Sequence, residues 1–481
     1  MHSDERQDRP LYVVVSGGEP NIVYDAGTNR LLNLDSRTAE ALPGWNGDAE
    51  LLPSSEKFNT LISAEKKHGW LSRHRPGCFA LPWSEQTIRH KLSSSLDCLV
   101  LAVTTACNFR CSYCLYGNNY EGYRPHGNRM MAYETTEAAL SFFERHSRDS
   151  GELHLNFYGG EPLLNFPLIE KSVERFPKIA AGRKYYYHLT TNGFLLHERR
   201  IAELLVEHDV CLTVSLDGPE RYHDSRRRTL QGEATFGTIM QGLELIDQLD
   251  HDYFMRNVMI NCVIDAIRDL PATRNFFLEH TLLKNLHIIC STVKNDGFSR
   301  SDLQENRAAQ AELEEELFAR FRSEQPVFDS FLKRIFVRDL VKIHRRQGFE
   351  GFESHEALTG LCIPGLKELF VDIDGRFHLC ENTCDELTVG NLSDGYDLEA
   401  IKGIVNAYRE IGDEFCTRCW AVRFCSLCFV HAFTGATPDK EKLSRYCERE
   451  RNKILGALRL YVRLRKEVPE SPAILEADSI V

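Results

Sequence analysis

The 481-residue chain is 42% hydrophobic and 27% charged, the balance of a soluble globular protein and not of a fibrous or disordered one. Single cores stop growing well short of that length, so two or three domains are expected. The net charge of -12 argues against an extended nucleic-acid-binding face, which would need many Lys and Arg to neutralise phosphates.

Residues 1–10 are polar and no later run reaches the roughly eighteen apolar residues of a membrane span. No secretion signal and no membrane partner are therefore expected, and the protein is placed in the cytoplasm. Short strands are predicted at 11–16, 21–24 and 30–34, with Asp25-Ala26-Gly27-Thr28-Asn29 as a turn and a helix start at Ser36. This compact unit closes near residue 90. From residue 98, apolar runs of strand length alternate with amphipathic stretches of helix length, the pattern of βα units around a parallel sheet. Six strands are predicted, at 98–104, 153–158, 185–191, 210–216, 258–264 and 286–291. Six are too few for a closed eight-stranded barrel, so the fold class is α/β with a partial (β/α)6 TIM barrel, its chemistry at the C-terminal strand ends. Arg226, Arg227 and Arg228 form a local basic run, read as a solvated loop in preference to a contact for a substrate carboxylate. Residues 302–347 read as a charged helical bridge. The cysteine-rich stretch 355–450 shows little regular pattern of its own, as expected where metal coordination replaces a large core.

Sixteen cysteines are too many to be incidental in a reducing compartment. Cys78, Cys98, Cys211, Cys262 and Cys290 stand alone in mostly apolar runs and read as small buried hydrophobes. The others cluster, first as Cys107, Cys111 and Cys114 on the loop after the first barrel strand. Three thiolates suit a four-iron four-sulfur cluster with one iron open to a small chelating ligand, whereas structural zinc takes four protein ligands.

The Cys-x3-Cys-x2-Cys spacing, with Tyr113 before the last cysteine, resembles the signature of the radical S-adenosylmethionine (SAM) superfamily. The resemblance continues at successive strand ends. Gly159-Gly160-Glu161-Pro162 is similar to the family's motif at the SAM amino group. Asn192, Ser215 and Asp217 match residues that approach the SAM ribose and carboxylate, and Arg227 matches an arginine of a further family segment. Cys362, Cys380, Cys416, Cys419, Cys425, Cys428 and Cys447 resemble the seven-cysteine SPASM domain of peptide and protein maturases. The family pattern implies one auxiliary cluster on Cys362, Cys380 and Cys428 and another on Cys416, Cys419, Cys425 and Cys447. The step from Cys425 to Cys428 is one residue shorter than the usual spacing. Cys384 is an extra thiol that either completes the first auxiliary cluster or leaves it an open iron.

The N-terminal unit is similar in layout to the small α+β, winged-helix-like leader-binding domain of peptide maturases, where a leader peptide adds as a strand to a sheet edge. The resulting division is 1–90 for leader recognition, 91–300 for the radical SAM barrel, 301–354 for the bridge, 355–450 for the C-terminal iron-sulfur (SPASM) domain and 451–481 for a final helix and tail. The resemblance implies three 4Fe-4S clusters, one binding SAM and two auxiliary. It also implies a ribosomally made precursor peptide with a leader as substrate, and an electron donor such as flavodoxin or ferredoxin. The expected activity is radical oxidoreductase chemistry installing a thioether or carbon-carbon crosslink, with Asp217, Arg227 and Glu381 as candidates for proton transfer. A sulfatase-type maturase forming formylglycine is the second reading within the enzymes, and a non-catalytic zinc-binding scaffold the reading from another class.

Overall fold

Three strands joined by polar turns open the chain as an antiparallel sheet in sequence order, β1 (Tyr12–Ser16), β2 (Asn21–Asp25) and β3 (Arg30–Leu34). The computed structural model describes residues 10–16, 21–45, 56–80, 84–117, 124–264, 269–292, 300–324, 326–358, 360, 362–363 and 365–477. Asp25 closes the second turn. Its carboxylate accepts from the Gly27 N–H at 3.2 Å and the Thr28 hydroxyl at 2.6 Å, and Asn29 takes a φ of 55°, which a short polar side chain tolerates. Val23, Leu32 and Leu34 bury one sheet face with Ala41, Leu42 and Leu61 of the helices Ser36–Trp45 and Glu56–His68. The unit docks on the cysteine-rich region. Arg423 Nε donates to the Ala26 carbonyl at 3.1 Å, and the Tyr24 ring lies 5.0 Å from that of Phe424.

After a short strand β4 (Cys78–Ala80), six parallel strands follow: β5 (Cys98–Thr104), β6 (Glu152–Gly159), β7 (Lys184–Thr191), β8 (Cys211–Ser215), β9 (Val258–Ile264) and β10 (His287–Thr292). They lie side by side in that order, as the βα alternation requires, and the predicted strands fall on them within a residue at each end. Their side chains alternate. Leu99, Leu101, Val103, Leu155, Phe157, Leu189, Leu212, Val214 and Ile260 are buried in the main core with the flanking helices. Val100 and Ala102 point to the opposite face, which also presents His154, Asn156, Tyr158, His188, Thr213, Ser215 and Asn261. Parallel strands covered on both sides are apolar throughout, so this polar face marks an open cavity.

The sheet does not end at β5. After β11 (His355–Ala357), paired with β4, come β12 (Glu368–Val371), β13 (Arg376–His378), β14 (Thr388–Asn391) and β15 (Gly395–Tyr396). β12 pairs in parallel with β5 and the rest continue antiparallel, giving ten strands in one sheet. The cysteine-rich region is thus more regular than its sequence suggested, and it also holds the helix Leu398–Phe415. The helix Lys440–Glu467 carries Cys447 and runs unbroken through the boundary expected at 450. Between barrel and cysteine-rich region, buried Arg274 pairs with Glu316 and Asp329 at 2.6 Å each, fastening the bridge. Among the isolated cysteines, Cys262 and Cys290 are buried, while Cys78, Cys98 and Cys211 keep partial exposure. No helix of the described residues is long and apolar enough to cross a membrane.

Candidate functional site

The loop leaving β5 carries Cys107, Cys111 and Cys114, all partly buried. It is pinned from below by two glycines. A Cβ on Gly159, which holds a φ of 129°, would lie 2.3 Å from the Thr104 carbonyl, and one on Gly160 would lie 2.1 Å from that of Ala106. Only glycine permits that approach. The loop is pinned from the side by the backbone of 226–230: Arg110 N donates to the Arg228 carbonyl at 2.8 Å, Ser112 N to that of Arg226 at 3.0 Å, and Leu230 N to that of Asn108 at 3.0 Å. The arginine run is therefore no solvated loop; Arg226 and Arg227 are 8% and 6% exposed, because their backbone forms a wall of the cysteine loop.

Asp217, fully buried after β8, organises one flank. Its Oδ2 accepts from Arg227 Nε at 3.0 Å and from the Tyr113 hydroxyl, and its Oδ1 accepts from Val263 N at 3.0 Å. The Arg227 guanidinium lies 5.4 Å from the Tyr113 ring centre, with Nη1 3.9 Å from Cys111 Sγ. His223 Nδ1 accepts from Asp217 N at 3.2 Å, which assigns the ring proton to Nε2, 3.0 Å from Thr235 Oγ1. Thr235 donates in turn to the Arg227 carbonyl at 2.9 Å. Burial pushes the His223 pKa down to about 4, so this relay stays neutral and fixes both members of the ion pair. Ser215 is buried at the end of β8.

Glu161 organises the other flank. Its carboxylate accepts from Leu163 N at 3.1 Å, the Thr191 hydroxyl at 2.7 Å and Asn192 N at 2.7 Å, tying the end of β6 to that of β7. Asn192 Nδ2 donates to Asn108 Oδ1 at 2.7 Å and lies 4.0 Å from Cys107 Sγ. Burial outweighs those hydrogen bonds and lifts the Glu161 pKa from 4.5 to about 7. An acid with a raised folded pKa stabilises the fold fully below its unfolded value of about 4.5, and that stability is lost as pH rises to about 7. The ligand-free protein should therefore melt at progressively lower temperature across that window, by an amount on the order of 3 kcal/mol. Calorimetry should find that contribution missing in Glu161→Gln, and an equal pH slope in both proteins would refute the assignment.

Burial raises the thiol pKa of Cys107 to about 12 and of Cys111 to about 11, with Arg227 opposing the rise at Cys111. Such thiols are poor free nucleophiles and ionise on binding a cation. In the cysteine-rich region Cys416, Cys419, Cys425 and Cys447 line one cavity with Leu358, Phe415 and Val422. Cys428 raises the thiol pKa of both Cys362 and Cys380, after burial, and so groups with them. Cys384 stands apart. Thr383 turns back onto the Cys380 carbonyl through its N–H at 3.3 Å and its hydroxyl at 2.9 Å, and Cys384 enters a separate hollow with Leu387, Phe429 and Lys442. Tetrahedral zinc would draw thiolates to about 3.8 Å from one another. Among the described residues the one group of three potential ligands within 4.8 Å is Asp372, His378 and Asp385, which contains no cysteine. Among the described residues, no three cysteine sulfurs are gathered as closely as a tetrahedral zinc site requires. The acidic trio already has cations: Arg376 is 2.8 Å from Asp372 and Arg124 is 2.8 Å from Asp385.

Glu381 lies on the other side of the opening, beyond β13. Arg124 Nη1 donates to its carbonyl at 3.3 Å and the Tyr116 hydroxyl at 3.4 Å, while its carboxylate accepts from Asn382 Nδ2 at 2.9 Å. His126 Nε2 lies 3.5 Å from Cys114 Sγ. His126, Asn108 and Arg124 are site residues that no sequence motif picked out.

Residues 101–264 match the family model described as the Radical SAM superfamily. The chain is 31% identical over 178 residues to an uncharacterized protein of Methanocaldococcus jannaschii, covering 37% of this chain and 56% of that one. It is 30% identical over 149 residues to the serine-type anaerobic sulfatase-maturating enzyme of Bacteroides thetaiotaomicron, covering 31% and 36%. It is 27% identical over 183 residues to the radical SAM cyclopropyl synthase TigE of Paramaledivibacter caminithermalis, covering 36% and 37%. The matches thus span about a third to just over half of these relatives' lengths. The fold aligns with native anSMEcpe with bound AdoMet at a TM-score of 0.58 and 20% identity, covering 80% of this chain and 100% of that one. The mixed α/β fold with its central parallel sheet is shared with that structure.

Proposed function

From a chain that carries a radical SAM domain over residues 101–264, we propose a SPASM-type peptide maturase that removes hydrogen from a ribosomally made precursor peptide and closes a thioether or carbon-carbon crosslink. One observation carries the reading: three partly buried thiols at the mouth of a polar half-barrel, held by the Asp217–Arg227 pair on one flank and Glu161 on the other, with the other clustered thiols set apart in the cysteine-rich region. When bound, the clusters and SAM supply reductive cleavage to methionine and a 5'-deoxyadenosyl radical, and an acceptor for the electron left after crosslinking.

The chain's residues bind and orient. Cys107, Cys111 and Cys114 ligate the SAM-binding cluster; Cys362, Cys380 and Cys428 hold one auxiliary cluster, and Cys416, Cys419, Cys425 and Cys447 the other. Tyr113, Gly159, Gly160, Asn192, Ser215, Asp217 and Arg227 line the SAM side. Three of the roughly four acceptor positions on the Glu161 carboxylate are taken by protein donors, leaving one for the SAM ammonium. Asp217 and Arg227 neutralise one another, so the substrate proton falls to the Glu381 carboxylate. The leader would add to the edge of β3, which pairs only with β2 among the described residues and borders a groove formed with Thr38, Asn59, Lys67 and Trp70. The sulfatase-maturating relatives support a second reading, oxidation of a peptidyl Cys or Ser to formylglycine.

The test is anaerobic incubation of the holoenzyme with SAM, reductant and the peptide encoded beside its gene. Loss of two hydrogens with formation of 5'-deoxyadenosine is expected; a hydrazine-reactive aldehyde would select formylglycine. An unaltered peptide, or a colourless protein containing only zinc, would refute the maturase reading.

A further inference from the structure

Each thiol on the loop after β5 has a protein nitrogen close to its sulfur. Phe109 N donates to Cys107 Sγ at 3.4 Å, Arg227 Nη1 lies 3.9 Å from Cys111 Sγ, and His126 Nε2 lies 3.5 Å from Cys114 Sγ. The first donor is the loop's own backbone, and the second is already committed to Asp217. The third comes from a separate segment, and its ring makes no second hydrogen bond among the described residues. Resting on the reading that Cys107, Cys111 and Cys114 hold the SAM-binding cluster, we propose that His126 tunes that cluster: its Nε2–H donates to the Cys114 thiolate and raises the cluster's reduction potential.

The fold holds the ring in place. Residues 126–131 run along the exit of β5, with Gly127 N donating to the Thr105 carbonyl, Thr105 N to that of Arg129 and Met131 N to that of Val103, each at 2.9 Å. Gly127 lets the two segments close, since a Cβ there would lie 2.7 Å from Thr105 Oγ1. His126 N donates to the Tyr116 carbonyl at 2.9 Å, two residues past Cys114, and the two rings lie 6.3 Å apart. Backbone bonds on both sides thus set the imidazole beside the last cysteine.

The surroundings of the ring locate its proton. Nδ1 is buried with no partner among the described residues. A proton there would leave a buried N–H unpaired, which is rarer than an idle lone pair, whereas a proton on Nε2 faces the sulfur. Hydrogen bonds to ligand sulfurs favour the more negatively charged state of an iron-sulfur cluster. The step makes and breaks no bond at His126. One electron arrives from an external one-electron reductant, and the proton stays on Nε2.

The experiment is an EPR-monitored redox titration of the full-length holoenzyme, in which the SAM-binding cluster is the one whose reduced signal changes when SAM is added. His126→Phe keeps a ring against Tyr116 and removes the donor. At a fixed potential well above the midpoint, the reduced fraction of that cluster should fall about tenfold, equivalent to a midpoint lower by about 59 mV for a one-electron couple, with iron content unchanged. Signals that ignore SAM should titrate as in the parent. His126→Gln sets an amide N–H where Nε2 stands and should restore the midpoint, an effect that ring packing alone would not produce. An unchanged midpoint in His126→Phe would overturn the proposal, as would a drop that His126→Gln leaves uncorrected or a loss of iron in His126→Phe, which would make His126 a ligand. If no signal of the parent responds to SAM, the cluster assignment itself is wrong and the proposal falls with it.

Discussion

Cys111→Ala should reduce 5'-deoxyadenosine formation by a factor on the order of 10³ or more, with about four irons lost per chain and the auxiliary clusters intact. The size of the effect follows from ligand count. A cluster that must keep one iron open has three protein ligands, and removing one leaves a second iron without a thiolate. Ala is the informative choice because Ser would offer an oxygen in the same place. Cys111 is also the thiol nearest the Asp217–Arg227 pair, with Sγ 3.9 Å from Arg227 Nη1. Its loss should leave that pair, and hence the fold around it, in place. The melting temperature of the ligand-free variant should stay within a degree or two of the parent, since a partly buried Cys to Ala change opens little volume. Leader-peptide binding, measured by fluorescence anisotropy, should be unchanged, because the β3 edge belongs to a different unit. Undiminished 5'-deoxyadenosine would remove Cys111 from the SAM cluster and with it the central assignment.

The elements legible in the sequence are those whose side chains carry a period. β5, β8 and β9 announce themselves because Leu99, Leu101, Leu212, Val214 and Ile260 must enter the core, and the strand ends follow from the turn residues after them. Cys107, Cys111 and Cys114, with Glu161 and Asp217, were visible as spacing and motif. β14 and β15 were not, because strands of two to four residues are too short to show alternation. The helix Lys440–Glu467 was expected only from 451 onward, because its first turns, which carry Cys447, fell in the stretch assigned to metal coordination. Arg226 and Arg227 look like solvent residues by composition, and only the tertiary pairing of their backbone with the cysteine loop buries them. His223 and Thr235 act through partners 6 to 12 residues away, a relation no local pattern encodes.

Asp217→Asn should be the most destabilising single change in the barrel, costing about 3–5 kcal/mol of unfolding free energy in the ligand-free protein. Asp217 is 0% exposed and Arg227 is 6% exposed, so the guanidinium left behind has no access to water in exchange for its lost counter-ion. Both Asp217 oxygens are acceptors, one for Val263 N and the other for Arg227 Nε and the Tyr113 hydroxyl. An Asn amide group must set its own N–H against one of those donors whichever way it turns. Solvent denaturation measures the loss, and Asp217→Asn combined with Arg227→Met supplies the control. With the buried charge also removed, the double variant should be more stable than Asp217→Asn alone, although it has lost one more native side chain. SAM affinity, followed by titration calorimetry on the reconstituted protein, should stay low in both, because Tyr113 and the Cys111 limb of the loop lose their anchor either way. Recovery of stability without recovery of binding separates the two duties of the pair, holding charge in the core and aiming the cysteine loop. A double variant that falls by the sum of its single changes would mean that the ion pair does neither through direct contact.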